Sequence, residues 1–277
     1  MKEQTTRSHD FVVEIADSND QRLAAYKNIR EKDLVGRQQR FIAEGKVVLN
    51  VLFSEATRFE TESLLILENR LNGLQDQLAH LPSGVEVYSV PQSVIDEVAG
   101  FHVHRGILAV GRRKPQPELA DVITRLPETA LVVVLCGISN HDNVGSIFRN
   151  AAAFEADCVF MDKTCCDPLY RKAIRVSVGA TLKVPYFHGS TIETIVAELQ
   201  AAEFNILALS PSSELNIYQA ARNKRQALLL GTEGEGLPAH LLTQLTGARI
   251  PMSSQFDSLN VATASGIALS RFSKFNG

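Results

Sequence analysis

The run Ile250-Pro-Met-Ser-Ser-Gln-Phe-Asp-Ser-Leu-Asn-Val-Ala-Thr-Ala264 places an apolar strand end, a polar turn and a Ser/Asn helix start in one short stretch. Free N–H groups at a helix start favour anions and polar ligands. Ser258 and Asn260 flank Leu259 at that start, and one of them suffices as a plain N-cap. The added polar turn SSQFD exceeds what capping requires. A second polar loop, ISNHDNVGSIFRN at 138–150, runs into a helix that carries Arg149 beside Phe148 and Ala151. A mostly buried helix is expected there, and a buried arginine needs an anionic partner. That partner is either a structural carboxylate or a phosphate or carboxylate ligand. A third loop, GTEGEGLP at 231–238, follows an apolar strand. Its glycines let backbone amides approach a ligand closely, although a plain turn accounts for it equally well. The spacing G-x-x-G-x-G is not the dinucleotide fingerprint.

All three loops follow or precede elements that alternate strand and helix. LVVVLCG (131–137) is continuously apolar, as a parallel strand covered on both faces must be. DCVFM (157–161), NILALS (205–210), ALLLG (227–231) and a short stretch at 249–252 add further strands. Helices are expected over 143–154 with Asn143 near the cap, over 191–204, and from Ser258 to about residue 273. Repeated β-then-α order predicts an α/β domain with a doubly wound parallel sheet, whose loops gather at the strand ends where such folds bind ligands. Upstream, residues 20–30, 47–53, 70–80 and 91–99 are expected to be helical, with strands at SLLILEN, VEVYSV and ILAVGRR. This makes a smaller α/β domain without a nucleophile-base pair or a phosphate loop, which suits binding. The proline-bearing stretch 112–130 separates the two, with a short helix at 118–125 and a boundary at 126.

The chain has 277 residues, 45% hydrophobic and 21% charged, with a net charge of −3. That balance argues against coating nucleic acid by bulk charge, while leaving room for a local basic face. Two basic clusters occur in the first half. One holds Arg22, Lys27, Arg30, Lys32, Arg37 and Arg40, and the other His102, His104, Arg105, Arg112, Arg113 and Lys114. Each is a solvated surface or a binding face. No apolar run is long enough to span a bilayer and the start of the chain is polar, so a cytoplasmic protein is expected. Cys136, Cys158, Cys165 and Cys166 form no CxxC pair and no metal set, and are expected to be reduced thiols, with redox sensitivity open for the adjacent pair.

Together the three loops resemble the SpoU/TrmH family of RNA 2′-O-ribose methyltransferases, within the SPOUT class. The family's Asn-x-Gly-x-x-x-Arg-Asn/Thr-Ala motif is similar to Asn143, Gly145, Arg149, Asn150 and Ala151. Its Gly-x-Glu-x-x-Gly motif is similar to Gly231, Glu233 and Gly236. Its Ile-Pro-Met and Ser-Leu-Asn-Val motif is similar to Ile250 to Met252 and Ser258 to Val261, with Ala264 beyond. The resemblance covers about 150 residues, from near 127 to the end, and includes DPLYRKAIRVSVGA at 167–180. Ser254 stands where the family often has glycine, and Ala-Thr follows Val261 where Ser-Val is commoner. The N-terminal half looks more loosely like an RNA-binding domain akin to a small ribosomal protein.

The resemblance implies residues 127–277 as a methyltransferase domain with a deep trefoil knot, preceded by an RNA-binding domain over 1–126. It implies a homodimer and S-adenosylmethionine as cofactor, held near Leu209, Ser210, Gly231, Ile250, Met252, Leu259 and Ala264. It assigns catalytic or orienting work to Arg149, Asn143, Glu233, Ser258 and Asn260, with Ser258 capping the last helix. Arg22, Arg30, Arg37, Arg40, Arg105, Arg112 and Arg113 become RNA-binding candidates. The implied reaction is methylation of a ribose 2′-hydroxyl in RNA, ribosomal RNA of the large subunit being favoured. A tRNA substrate and a non-catalytic RNA-binding or assembly factor are the alternatives. A nucleotide-binding dehydrogenase fails on the glycine spacing and on the missing acidic residue beyond it.

Overall fold

The computed structural model of the protein describes residues 11–27, 34–36, 38–232, 234–253, 255 and 257–275. The chain divides into two compact units between Lys114 and Pro115.

The first unit is a five-stranded mixed sheet. Its strands are β1 (Val12–Glu14), β2 (Arg40–Glu44), β3 (Glu60–Leu67), β4 (Glu86–Val90) and β5 (Ile107–Arg112), in the order β1-β4-β3-β5-β2. Three of its helices are α1 (Lys46–Leu52), α2 (Gln75–Ala79) and α3 (Gln92–Ala99), with 3-10 turns at Gln21–Tyr26 and Glu68–Gly73. The expected strands are present, as are helices at 47–53, 70–80 and 91–99; of the helix expected over 20–30 the described part is the 3-10 turn Gln21–Tyr26, and residues 28–30 lie outside the described residues. β1 and β2 are additions, a three-residue edge strand and a strand held by antiparallel pairing with β5. Leu65, Tyr88, Ile95, Val98, Val103 and Leu108 build its core.

The second unit begins with α4 (Leu119–Thr124) and is built on seven strands. These are β6 (Ala130–Leu135), β7 (Cys158–Met161), β8 (Tyr186–His188), β9 (Asn205–Leu209), β10 (Leu215–Asn216), β11 (Arg225–Leu230) and β12 (Thr246–Arg249). All six pairings are parallel, in the order β10-β12-β9-β11-β6-β7-β8. The helices are α5 (His141–Ala153), α6 (Arg171–Val176), α7 (Ala180–Lys183), α8 (Ile192–Ala201), α9 (Ala239–Gln244) and α10 (Val261–Phe272). The α/β class with a parallel sheet agrees with the expectation. The central strands are apolar throughout because both faces are covered: Val132, Val133 and Val134 of β6 are fully buried.

The break between units lies at 114–115, ahead of the expected 126. Leu119 and Ile123 of α4 join Leu199, Phe204 and Leu241 in the core of the second unit. The amide of Gln116 also brackets His188 at the end of β8, accepting from its N–H at 2.9 Å and donating to its carbonyl at 3.1 Å. The proline-bearing stretch is therefore packed structure rather than free linker. Among the described residues, no helix is long and apolar enough to cross a membrane.

The cysteines are free thiols, three of them buried. Burial, aided by the nearby Asp162 carboxylate, pushes the Cys136 thiol up to about 12 and raises Cys165 as well. Burial and Asp167 push Cys166 up to about 12. These thiols stay protonated at neutral pH, which removes the thiolate that redox exchange needs.

α5 lies against α6 and α10. Its approach to α6 depends on Gly145: a Cβ there would stand 2.7 Å from the Ala173 carbonyl oxygen and 2.9 Å from Val176 Cβ. Backbone cannot yield cheaply to such a contact. Gly145→Val is expected to lower stability by about 1–3 kcal/mol, measured by chemical denaturation, despite the better helix propensity of the larger residue.

Candidate functional site

Strands β12, β9 and β11 are neighbours and run parallel, so their C-terminal ends share one edge of the sheet. Three loops leave that edge. Residues 210–214 follow β9, residues 231–238 follow β11, and residues 250–260 follow β12. They enclose a cleft of about 780 Å³, a size suited to a single cofactor-sized ligand. Leu209 and Ser210 wall it from the first loop, Gly231 from the second, and Ile250 and Met252 from the third. Leu259 and Ala264 complete the wall at the start of α10. Stretches up to 55 residues apart in the chain therefore meet in one cavity because parallel strands must bring their ends to the same side.

Gly231 is where the second loop turns. A Cβ there would stand 2.5–2.6 Å from the backbone of Gly236 and Leu237. The loop closes on itself through paired backbone hydrogen bonds between Thr232 and Gly236 of 3.1 and 3.3 Å. Gly234 and Gly236 have open space where a side chain would project, so peptide groups face the cleft directly. Two carboxylates, Glu235 and Asp257, also line it, whereas no lysine or arginine does among the described residues. The sequence reading overlooked both acids, since neither belongs to a motif. Their positions inside the glycine loop and the SSQFD turn were the available signal. Glu233 lies outside the described residues.

The start of α10 joins this cleft to α5. Asn260, rather than Ser258, is the N-cap: its side-chain oxygen accepts from the N–H groups of Ala262 at 2.9 Å and Thr263 at 3.3 Å. Its side-chain nitrogen donates to Asn143 Oδ1 at 3.0 Å. Asn143 is buried inside α5, whose own cap is Asn140. About two turns further on, Asn150 Nδ2 donates to the Ala262 carbonyl at 2.8 Å and the Ser265 hydroxyl at 2.9 Å. The asparagines of the first motif therefore hold the helix of the third. Ser258 is exposed and walls the cleft without capping.

Arg149 departs from expectation. It is exposed, not buried, because Phe148 and Ala151 face the core and the intervening position turns outward. Among the described residues it has no ion-pair partner, and it does not wall the cleft of its own chain. Exposed to water, this guanidinium needs no anionic partner within the fold.

The basic residues of the first unit divide. Arg22 is held by both oxygens of Asp20, at 2.6–2.9 Å. Arg40 and Arg112 share Glu62, Arg40 at 2.7 Å, and Lys114 faces Glu60 at 3.5 Å. Arg113 is half-buried and engaged, whereas Arg105 is exposed. Arg30 and Arg37 lie outside the described residues. The stretch 102–114 holds no acid along the chain, but β3 supplies Glu60 and Glu62 from across the sheet.

The SpoU rRNA Methylase family model matches residues 130–270. An uncharacterised tRNA/rRNA methyltransferase of Mycobacterium bovis is 39% identical over 93% of this chain and 90% of its own length. The 23S rRNA (guanosine-2′-O-)-methyltransferase RlmB of Escherichia coli is 30% identical over 67% of this chain and 78% of its own. Among solved structures, the AdoMet-bound rRNA methyltransferase of Sinorhizobium meliloti superposes with a TM-score of 0.80 at 23% identity, covering 94% of this chain and 97% of the other. AviRb of Streptomyces viridochromogenes, in complex with AdoMet, gives 0.76 at 19% identity, covering 91% and 95%. At those identities the two superpositions speak for the fold. The family model and the relatives speak for descent: the chain belongs to the SpoU rRNA methylase family.

Proposed function

We propose that this protein methylates a ribose 2′-hydroxyl in RNA, using S-adenosylmethionine, and that its substrate is ribosomal RNA of the large subunit. The observation that carries this reading is the cleft at the ends of β9, β11 and β12, walled by the second and third family motif regions, with the first motif fastened to its rim through the Asn143–Asn260 hydrogen bond. Its residues suit the cofactor. Leu209, Ile250, Leu259 and Ala264 offer apolar surface for a base, and the open peptides of the glycine loop offer hydrogen bonds. Glu235 and Asp257 offer negative charge to a ligand that carries a sulfonium and an ammonium. When bound, the cofactor supplies a methyl group already attached to a good leaving group. The protein's remaining work is alignment of the ribose oxygen and help with its proton.

That work falls to Arg149. A guanidinium is a planar, delocalised cation with five donors and no acceptor, suited to gripping an anion rather than to taking up a proton. It therefore serves as a fixed cation that holds the target phosphate and stabilises the developing oxyanion, with the proton leaving to that phosphate or to water. Asn143 and Asn260 orient the helix start, and Ser258 meets cofactor or substrate at the cleft rim. Because Arg149 stands outside its own chain's cleft, the reading includes a homodimer in which each arginine serves the partner's cofactor. It also includes a knotted C-terminus, with α10 returning past the loop after β11 to lie on α5 and β11. The first unit binds RNA, and the enzyme works in the cytoplasm. The large-subunit preference over tRNA rests on that unit and on the kinship with a 23S rRNA methyltransferase.

Mapping ribose methylation across total RNA, with and without this protein, tests the function. One 2′-O-methyl site in large-subunit rRNA is expected to vanish on deletion, and an unchanged map defeats the proposal. Arg149→Ala and Arg149→Lys are both expected to lower kcat by about 100-fold or more while cofactor affinity holds, since a lysine cannot reproduce the planar fork. A fully active lysine variant would remove the bidentate role. For the shared site, Arg149→Ala and Gly231→Val chains are each expected to be inactive alone. Co-assembled, they should recover about a quarter of wild-type activity, because half of the dimers hold one intact composite site. No recovery in demonstrated mixed dimers counts against sharing.

A further inference from the structure

The first unit holds a cleft of its own, of about 350 Å³, lined by Lys46, Asn69, Arg70, Gly73, His104 and Arg105. Its cations come from three separate places. Lys46 opens α1, Arg70 lies in the 3-10 turn 68–73, and His104 and Arg105 precede β5. No carboxylate lines it among the described residues.

Two close contacts seat the arginines. A Cβ on Gly45 would stand 2.8 Å from Arg105 Cδ and 2.9 Å from one of its terminal nitrogens. A Cβ on Gly106 would stand 2.9 Å from Arg70 Cγ. The absence of side chains at 45 and 106 thus leaves room for the stems of Arg105 and Arg70. Lys46 donates to the Gly73 carbonyl and keeps further N–H groups for a ligand. Neither Arg70 nor Arg105 has a hydrogen-bond or ion-pair partner among the described residues. Arg22, Arg40 and Arg112, in contrast, are already held by carboxylates.

We infer that this cleft is the phosphate grip of the first unit, closing Arg70 and Arg105 on the sugar-phosphate backbone of the RNA substrate, while Arg22, Arg40 and Arg112 serve the fold. The inference rests on the proposed RNA substrate and deepens it. Two guanidinium groups and an ammonium without a competing acid suit a phosphodiester anion, which planar forks bind in bidentate fashion. The neighbouring turn favours nucleic acid over a phosphorylated peptide. Phe101 is 38% exposed, and the His102 and His104 rings meet edge to face with centroids 4.4 Å apart. His102 is itself oriented by the Asp96 carboxylate at 2.6 Å. Exposed rings beside a cationic groove are what unpaired bases stack on.

The test is equilibrium binding of deproteinised bacterial large-subunit rRNA to the full chain across a salt series. The double variant Arg70→Gln/Arg105→Gln is compared with the charge-matched Lys224→Gln/Lys274→Gln, which removes two exposed lysines of the other unit. The arginine variant is expected to bind about tenfold or more weakly, and its log–log salt dependence should flatten by about one to two. The lysine control should keep wild-type affinity. Arg70→Lys/Arg105→Lys keeps both charges and is expected to retain the salt slope while losing part of the affinity. Thermal midpoint and S-adenosylmethionine affinity report whether each variant is folded. Equal RNA affinity in the Arg70→Gln/Arg105→Gln variant and the lysine control overturns the inference. Wild-type protein that binds this RNA tightly but methylates no ribose overturns the function instead, and leaves the cleft to be judged on binding alone.

Discussion

The candidate site depends on one side chain that bonds in two directions. Asn260 caps α10 with its oxygen and reaches Asn143 with its nitrogen. The first bond fixes where the last helix begins, and so where the loop from Ile250 must end. The second ties that beginning to a helix 117 positions earlier in the chain. A buried amide such as Asn143 costs free energy unless paired, typically about 1–3 kcal/mol. That cost makes the pairing specific: no neighbouring register of α10 supplies the same donor. Asn150, bonded to Ala262 and Ser265, repeats the fastening further along. The cleft wall at Leu259 and Ala264 takes its position from these contacts.

The seven-stranded sheet supplies the other half of the geometry. Parallel pairing puts the ends of β9, β11 and β12 together, and the loops need only be short and open to form a cavity. The charges then follow a division of labour. Among the described residues, acids line the cleft of the second unit, arginines without a carboxylate partner line the cleft of the first, and Arg22, Arg40, Arg112 and Lys114 are matched with Asp20, Glu62 or Glu60. Exposed ion pairs of that kind add little stability. They do limit which cations remain available to an anionic partner.

Much of this was legible along the chain, for physical reasons that differ by element. The strands at 131–137, 157–161, 205–210 and 227–231 were visible because two covered faces demand unbroken apolar runs. β8 and β10, of three and two residues, carry too little pattern to notice. The helix start at 258–260 offered two capping residues, and only the distant Asn143 decides between them. Arg149 was misplaced to the interior because its neighbours are buried, although each step along a helix turns by about 100°. The basic cleft was invisible, since Lys46, Arg70 and Arg105 belong to three elements and no linear window holds them together.

The strand order has a consequence for how the second unit comes into being. β11 sits between β9 and β6, both of which precede it in the chain. Until residue 230 has left the ribosome, the two halves of the sheet have no shared edge and each exposes an unpaired flank. Closure therefore waits until β11 has emerged, and its loop entropy is paid late. During synthesis the nascent chain must carry the apolar runs of β6 and β9 uncovered on those flanks, the kind of surface that chaperones recognise and that aggregation exploits.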